Sequence, residues 1–511
     1  MMCSLFRLST PDLGMAFSTR ARCRILFWLG LALLQVGLAG WHPSDGLLGD
    51  EFDDVRKSAI SHVDQQADLL AGVNRSIWEL AEVGLEERES SAILIRNLRD
   101  AGFEIQKGVS GMPTAFVASF GSGQPIIGIL AEYDALPDMS QQAVPERTPR
   151  EEGGAGHACG HSGLATGALG AALAVKAAME EHRLPGTLRL YGTPAEETLI
   201  GKVYMTLDGQ FDDLDICLHW HPGTRNEAWA SSSKAVVSAK FTFRGTAAHA
   251  SVSPDSGRSA LDAVELMNVG ANFMREHLRE DARIHYVITD GGGAPNVVPP
   301  QATVWYFVRA DSHQDVQYNF RWLKDIARGA AMMTRTDFTV QIDTDCHEII
   351  PNAPLTEVIT RNLERIHPPE FTEEEQVFAR RLQAPLVEQF ERQFPIALDS
   401  RVHRSSVAAP PSKGSTDVGD VSWRVPTGGL RTTCFPAESP GHSWQNVASI
   451  GSTIGDKGSI YAAKILAASA LDLMQDPRLI AAARADWKQR MEGREYFSFI
   501  PEGQPAPARI R

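Results

Sequence analysis

The sequence predicts an α/β fold, a central mixed sheet flanked by helices, with a smaller β-α-β-β-α-β unit inserted into it. Three observations carry this expectation. Helical periodicity alternates with short apolar runs along the first 230 residues, and glycine-rich turns punctuate the alternation. Between residues 233 and 347 the elements run strand, helix, strand, strand, helix, strand.

Residues 55–102 read as helix, with apolar positions at Ile60, Val63, Leu70, Ile77, Leu80, Leu94 and Leu98 before the stop at Gly102. Residues 114–120 and 126–131 read as strands around the Gly121-Ser122-Gly123 turn, 163–179 as a helix of small residues and 186–191 as a further strand. The inserted unit has strands at 236–243, 283–289, 303–310 and 338–342 and helices at 259–277 and 316–333, a ferredoxin-like order. The main domain then resumes with a helix. Residues 368–413 follow, charged and helical at 373–392 and rich in Ser and Pro at 405–412, and read as a surface insertion at the edge of the inserted unit. A strand at 430–435 and a helix at 461–474 complete the domain, and the tail 501–511 is expected to be disordered. The expected organisation is a leader at 1–39, the main domain at 41–232 and 348–500, and the insertion at 233–347.

Composition bounds the function. Of 511 residues 43% are hydrophobic and 22% charged, which fits a globular chain and excludes a collagen-like or disordered one. Sixty-three acidic residues against 49 basic ones give a net charge of −14, which disfavours nucleic acid as a partner and favours a small molecule. Arg20, Arg22 and Arg24 precede an apolar run at 25–34, and Gly37 and Ala39 follow it: a secretory signal, or an anchor if it stays uncleaved. Met15 would give the more typical leader length. The expected location is therefore secreted or periplasmic. Six cysteines are too few for a disulfide scaffold. Cys3 and Cys23 fall in the leader, and Cys217, Cys346 and Cys434 read as buried small side chains.

Five clusters punctuate the turns of the main domain: Glu132-Tyr133-Asp134, His157-Ala158-Cys159-Gly160-His161, Glu196-Glu197, His219-Trp220-His221 and Gly441-His442-Ser443. Taken singly, each has an ordinary structural explanation. Together they supply the Cys, His and Glu donors that divalent zinc prefers, spread through the chain as in a catalytic site. Neither a CxxC pair nor an HExxH helix is present.

In this order the clusters resemble the M20 family of co-catalytic metallopeptidases, in particular its amidohydrolase branch, over about residues 77–473. The matching stretches include Gly111-Met112-Pro113-Thr114-Ala115-Phe116, Ala131-Glu132-Tyr133-Asp134-Ala135-Leu136-Pro137, Gly192-Thr193-Pro194-Ala195-Glu196-Glu197, Ser415-Thr416-Asp417-Val418-Gly419-Asp420 and Gly441-His442-Ser443-Trp444-Gln445. The resemblance implies a zinc-peptidase-like domain carrying a lid that also pairs two subunits. It implies two divalent ions, Zn²⁺ or Mn²⁺, held by Cys159, His161, Glu197, His221 and His442. Glu196 would be the general base, and Asp134 would orient a ligand. His249 would stabilise the oxyanion, from the same or the neighbouring protomer, while Asn296 and Arg309 would hold the substrate's carbonyl or carboxylate. Ser415 and Asp417 would line the pocket without a catalytic role.

Two departures stand out. The Cys-Gly-His run continues Ser162-Gly163-Leu164, where the auxin-conjugate type has Asp-x-His. In that type the later ligand aligns with His219, and in the closer subgroup with His221. Both would share one face of a strand, and His221 is preferred. The implied reaction is hydrolysis of an amide in an N-acyl amino acid or aroyl-glutamate carrying a free carboxylate. The alternatives are a dipeptidase and a non-catalytic partner subunit. A homodimer or a related partner subunit is expected.

Overall fold

The computed structural model describes residues 50–508. Helices α1 (Asp50–Gln65), α2 (Ala67–Leu80) and α3 (Arg88–Asp100) lead into strands β1 (Glu104–Lys107), β2 (Phe116–Ser122) and β3 (Ile126–Ala131). Then come α4 (His161–His182), β4 (Gly186–Gly192), α5 (Gly201–Leu207), β5 (Ile216–Gly223) and β6 (Asn226–Trp229). A second group follows: β7 (Ala235–Arg244), α6 (Ala260–Met274), β8 (Arg283–Asp290), β9 (Gln301–Ala310), α7 (His313–Thr334) and β10 (Asp337–Cys346). The chain closes with α8 (Ala353–Arg365), α9 (Glu373–Phe390), β11 (Val402–His403), α10 (Val418–Ser422), β12 (Thr427–Thr433), α11 (Trp444–Ile450), α12 (Thr453–Gln475) and α13 (Pro477–Met491).

The main sheet is eight-stranded, in the order β1-β2-β4-β3-β5-β12-β6-β11. Its centre, β4-β3-β5-β12, is parallel throughout, while β1 and β2 run antiparallel to their neighbours and β6 runs antiparallel to β12 and parallel to β11. Central strands are covered on both faces, which is why they read as unbroken apolar runs. In β5, Ile216, Leu218 and Trp220 enter the core shared with α2, α4, α8 and α12, whereas Cys217 enters the opposite core with Val203 and Met205 of α5. The two-residue period therefore turns His219 and His221 away from α4. The small residues of α4 allow close approach: a Cβ on Gly167 would lie 2.6 Å from the Trp220 ring, and Trp220 Nε1 donates to Leu164 O at 2.9 Å.

The second sheet, β10-β7-β9-β8, is antiparallel and carries α6 and α7 on one face over Phe241, Phe243, Val304, Tyr306 and Phe320. It joins the main domain through an apolar core that Val236 and Cys346 share with Val203 and Tyr204, and through a polar cluster beside it. His313, at the start of α7, stacks on His347 at 3.7 Å between ring centres. His313 Nε2 meets Asp345 Oδ1 at 2.7 Å, and His347 Nδ1 meets Asp420 Oδ1 at 2.9 Å.

Two expectations need correction. The stretch 368–413 is more than a surface insertion. Helix α9, opened by a Thr372–Glu375 capping box, packs on α11 and a small core containing Ile454, and β11 becomes an edge strand of the main sheet. The tail is ordered through residue 508: Gln504 Nε2 donates to Tyr204 Oη at 3.0 Å and to Ile342 O at 2.9 Å, and Ala506 packs beside the α5 core. Strands β1, β6 and β11 and helices α11 and α13 complete the fold without a sequence expectation, because two- to four-residue strands are too short to show alternation. The leader 1–39, with Cys3 and Cys23, lies outside the described residues, as do residues 509–511.

The Trp220 contact yields a stability prediction. Gly167→Ala should destabilise the protein by about 1–3 kcal/mol in chemical denaturation. An unchanged midpoint would contradict the close packing of α4 on β5.

Candidate metal centre

The four parallel strands end on one side, and each hands its following turn to the same place, the usual ligand crevice of such sheets. Glu132-Tyr133-Asp134 follow β3, Glu196-Glu197 follow β4, His221 lies near the end of β5 and His442 follows β12. Cys159 and His161 come from the turn that opens α4. There Gly160 has φ 86°, and a Cβ would meet Phe435 at 2.9 Å and Pro222 at 3.0 Å, so glycine is required on both counts. Ala195, Leu199 and His442 also adopt positive φ, at 56°, 58° and 53°. Non-glycine residues in this conformation are costly and concentrate at functional sites.

Three donor groups emerge, each with ligand atoms lying within 4.8 Å of one another: Cys159, His161 and His221; Cys159, Glu197 and His442; and Glu132, His161 and Glu196. Cys159 is common to the first two, the donor triads of the centre. Its Sγ lies 3.3 Å from His221 Nε2, and His442 Nε2 lies 3.3 Å from Glu197 Oε2. Each central histidine has one nitrogen already engaged. His161 Nδ1 donates to Asp134 Oδ1 at 2.8 Å and His221 Nδ1 to Pro222 O at 2.7 Å, which leaves Nε2 of each ring as the atom available to a cation, once His161 gives up the proton that, against its burial, Cys159 and Asp134 favour. Asp134 Oδ2 accepts from Glu197 N at 2.9 Å. His161 Nε2 and Glu197 Oε1 are buried without a hydrogen-bond partner. Unsatisfied soft and borderline donors converging in this way fit a pair of divalent cations.

His219 is not in either triad. It is buried, with its ring 5.2 Å from Trp229 and packed over Gly429, where a Cβ would lie 2.1 Å from His219 Nε2. His249 and Asn296 sit together on an exposed rim of the second sheet. Ala250 N donates to Asn296 O at 3.0 Å, and Ser251 N and Val252 N both donate to His249 Nδ1 at 3.2 Å, so His249 Nε2 carries the proton and points outward as a donor. Arg309 donates to Ser415 Oγ at 3.2 Å. None of these three lines the cleft that holds Cys159, His221 and His442.

A buried charge network that sequence patterns do not single out supports the centre. Lys202, fully buried on α5, donates through Nζ to Asp417 Oδ1 at 2.6 Å and reaches Glu132 Oε1 at 2.8 Å. The other Glu132 oxygen faces His161 Nε2 at 3.3 Å. Glu87 Oε1 accepts from Ala195 N at 2.8 Å and pins the turn before Glu196. An isolated Lys or Glu in a loop or helix gives no sequence signal of such pairing; the Glu132-Tyr133-Asp134 cluster and Asp417 pointed to this region, and Lys202 and Glu87 had no signal.

Electrostatics follow from burial. Burial pushes the Glu196 carboxyl well up, with Glu132 and Asp417 adding to it, and Glu197 is pushed up to about 8. Burial and the Glu197 charge raise the Cys159 thiol. His221 is lowered to about 4 by burial and by His161, and so is a neutral ligand at pH 7. Burial works against ionised Glu132, but Lys202 and then His161 outweigh it and hold the group below its usual range.

Residues 128–446 match the profile of peptidase family M20/M25/M40. The B-type chain of the p-aminobenzoyl-glutamate hydrolase of Escherichia coli (strain K12) is 40% identical over 455 residues, spanning 84% of this chain and 94% of that protein. The Xaa-Arg dipeptidase of Mus musculus is 29% identical over 459 residues, 86% and 94% of the two chains. Among solved structures, an aminobenzoyl-glutamate utilization protein from Klebsiella pneumoniae shares the fold with a TM-score of 0.57 at 18% identity, covering 81% of this chain and 97% of its own.

The geometry of the centre makes two quantities measurable. Lys202→Met leaves two buried carboxylates without their cation and should cost about 3–5 kcal/mol of stability in urea unfolding; a loss under about 1 kcal/mol would contradict the network. Protons on Cys159 and Glu197 compete with metal below their raised pKa values, so affinity must rise with pH. Calorimetric titration with Zn²⁺ should show at least about tenfold tighter binding at pH 8 than at pH 6, and a pH-independent affinity would contradict the donor set.

Proposed function

The chain belongs to peptidase family M20/M25/M40 and hydrolyses amide bonds, and from that premise we propose that it is a metal-dependent amidohydrolase of N-acyl amino acids, with aroyl-glutamates foremost. The observation that carries the reading is a pair of donor triads sharing Cys159, with Glu196 in neither of them and grouped instead with Glu132 and His161. Zn²⁺ or Mn²⁺ at the two positions would polarise the scissile carbonyl and activate a water.

The remaining work falls to the chain. Glu196, its oxygen 3.8 Å from His161 Nε2, takes the proton of the attacking water and returns it to the leaving amine. Its adjacency to Glu197 suits this division, one carboxylate held as a ligand and the next free to move a proton. Asp134 fixes the His161 tautomer and at the same time the Glu197 backbone. The outward Nε2–H of His249 donates to the developing oxyanion, and Asn296 stands beside it.

His249 reaches a centre most directly from a second copy of the chain. Strand β8 is the free edge of the second sheet, and Val287 and Ile288 on it and Phe273 on α6 are exposed. Edge-to-edge pairing there would bury them in a homodimer, and the same edge would serve a related partner subunit. The basic and apolar leader supports export to a secreted or periplasmic location. A dipeptidase is the second reading: Glu227 in the cleft offers a carboxylate to a free amino terminus.

The test is hydrolysis of p-aminobenzoyl-glutamate, N-acyl amino acids and dipeptides by protein beginning near Trp41, before and after chelation. Chelator-sensitive release of glutamate supports the proposal, and preference for dipeptides favours the second reading. Glu196→Gln should keep two metals per chain while kcat falls by about 10²–10⁴-fold. A rate within a few-fold of wild type would remove Glu196 as the base.

A further inference from the structure

Beside the donor triads lies a cleft of about 470 Å³, a size suited to a small molecule. Cys159, His221 and His442 line it together with Arg225 and Arg431. Two arginines face one carboxylate, Glu227, in a chain whose net charge is −14. This local reversal of sign is what an anionic ligand would need, because charges more than a Debye length away are largely screened.

Arg431 is the better placed of the two. On β12 it stands in register with His221 of β5 on one side and Glu227 of β6 on the other. Its guanidinium lies 4.1 Å from the centre of the Trp229 ring, and the same indole meets the His221 ring edge-on at 6.2 Å. Stacking on Trp229 fixes the plane of the guanidinium while leaving its edge free. Its ion-pair partner, Glu227 Oε1, is 3.8 Å away, too far for a hydrogen bond. The side chain is 34% exposed, and burial lowers the guanidinium pKa, an effect that a bound anion would offset. Arg309, to which the family resemblance gives such a role, lies outside this cleft; it donates one bond to Ser415 and keeps its Nε buried without a partner, so it does not compete for the anion at this position.

We propose that Arg431, oriented by Trp229 and aligned with His221, is a residue that recognises a carboxylate on the substrate, so that the site takes anionic amides in preference to neutral ones. This rests on the metal-centre reading above. A carboxylate accepts two parallel hydrogen bonds from the free guanidinium edge, while the amide carbonyl lies over the donor triads. The planar fork matters as well as the charge, so lysine is an incomplete substitute.

Two measurements on the metal-loaded protein test it. The first compares kcat/KM for p-aminobenzoyl-glutamate with that for its diamide, in which both carboxylates are neutralised. Wild type should prefer the diacid by at least about 100-fold. Arg431→Gln should shrink that ratio by at least about 30-fold through KM, and Arg431→Lys should fall between. A ratio unchanged by Arg431→Gln overturns the proposal. The second is calorimetric binding of glutarate, which needs no turnover. Arg431→Gln, with metal content and thermal midpoint retained, should weaken it at least about tenfold, and equal binding overturns the proposal. Should p-aminobenzoyl-glutamate resist hydrolysis while glutarate binding still depends on Arg431, the aroyl-glutamate assignment fails and the carboxylate subsite stands.

Discussion

Asp134 is the constraint on which the centre hangs. One of its oxygens takes the Nδ1–H of His161 and the other the backbone N–H of Glu197, so a single buried carboxylate ties the turn after β3 to the start of α4 and to the turn after β4. Without it, one donor of each triad, His161 and Glu197, would be set by loops alone. Hydrogen bonds to a charged acceptor are the stronger kind, and His161 holds Asp134 ionised despite burial. The geometry of both triads is thus fixed by the chain before any cation arrives.

Around that clamp the structure concentrates cost. A buried lysine between two carboxylates, a glutamic acid pinning Ala195 and three non-glycine residues at positive φ are each unfavourable by themselves. They are tolerated because α4, α12 and the parallel strands form a tightly packed body beneath them, in which Gly167 and Trp220 interlock. Stability lies below the strand ends and strain above them, the distribution expected of a preorganised site.

Much of this was legible in the sequence. The strand at 126–131 coincides with β3, and the six-element order of the second sheet follows the apolar alternation from 236 to 342. The chemistry-bearing clusters were visible because five of them, each ordinary by itself, together supply the Cys, His and Glu donors of a metal site. What remained hidden depends on distance in space rather than along the chain. Lys202 meets Asp417 across 215 residues, and Arg431 finds Trp229 only through the pairing of β12 with β6. The choice between His219 and His221 is equally invisible to a two-residue period, since both occupy one face; packing over Gly429 removes His219 from the cluster. The tail looked disordered because Pro- and Gly-rich composition carries no sign of the two hydrogen bonds made by Gln504.

The central claim is that Cys159 is shared by two metal positions. X-ray absorption on zinc-loaded protein tests it most directly. The account predicts a Zn–S path near ~2.3 Å together with a metal–metal vector of about 3.5–4 Å, both lost in Cys159→Ser. Zinc bound in an all nitrogen and oxygen shell, with no sulfur path in the wild-type protein, would contradict it.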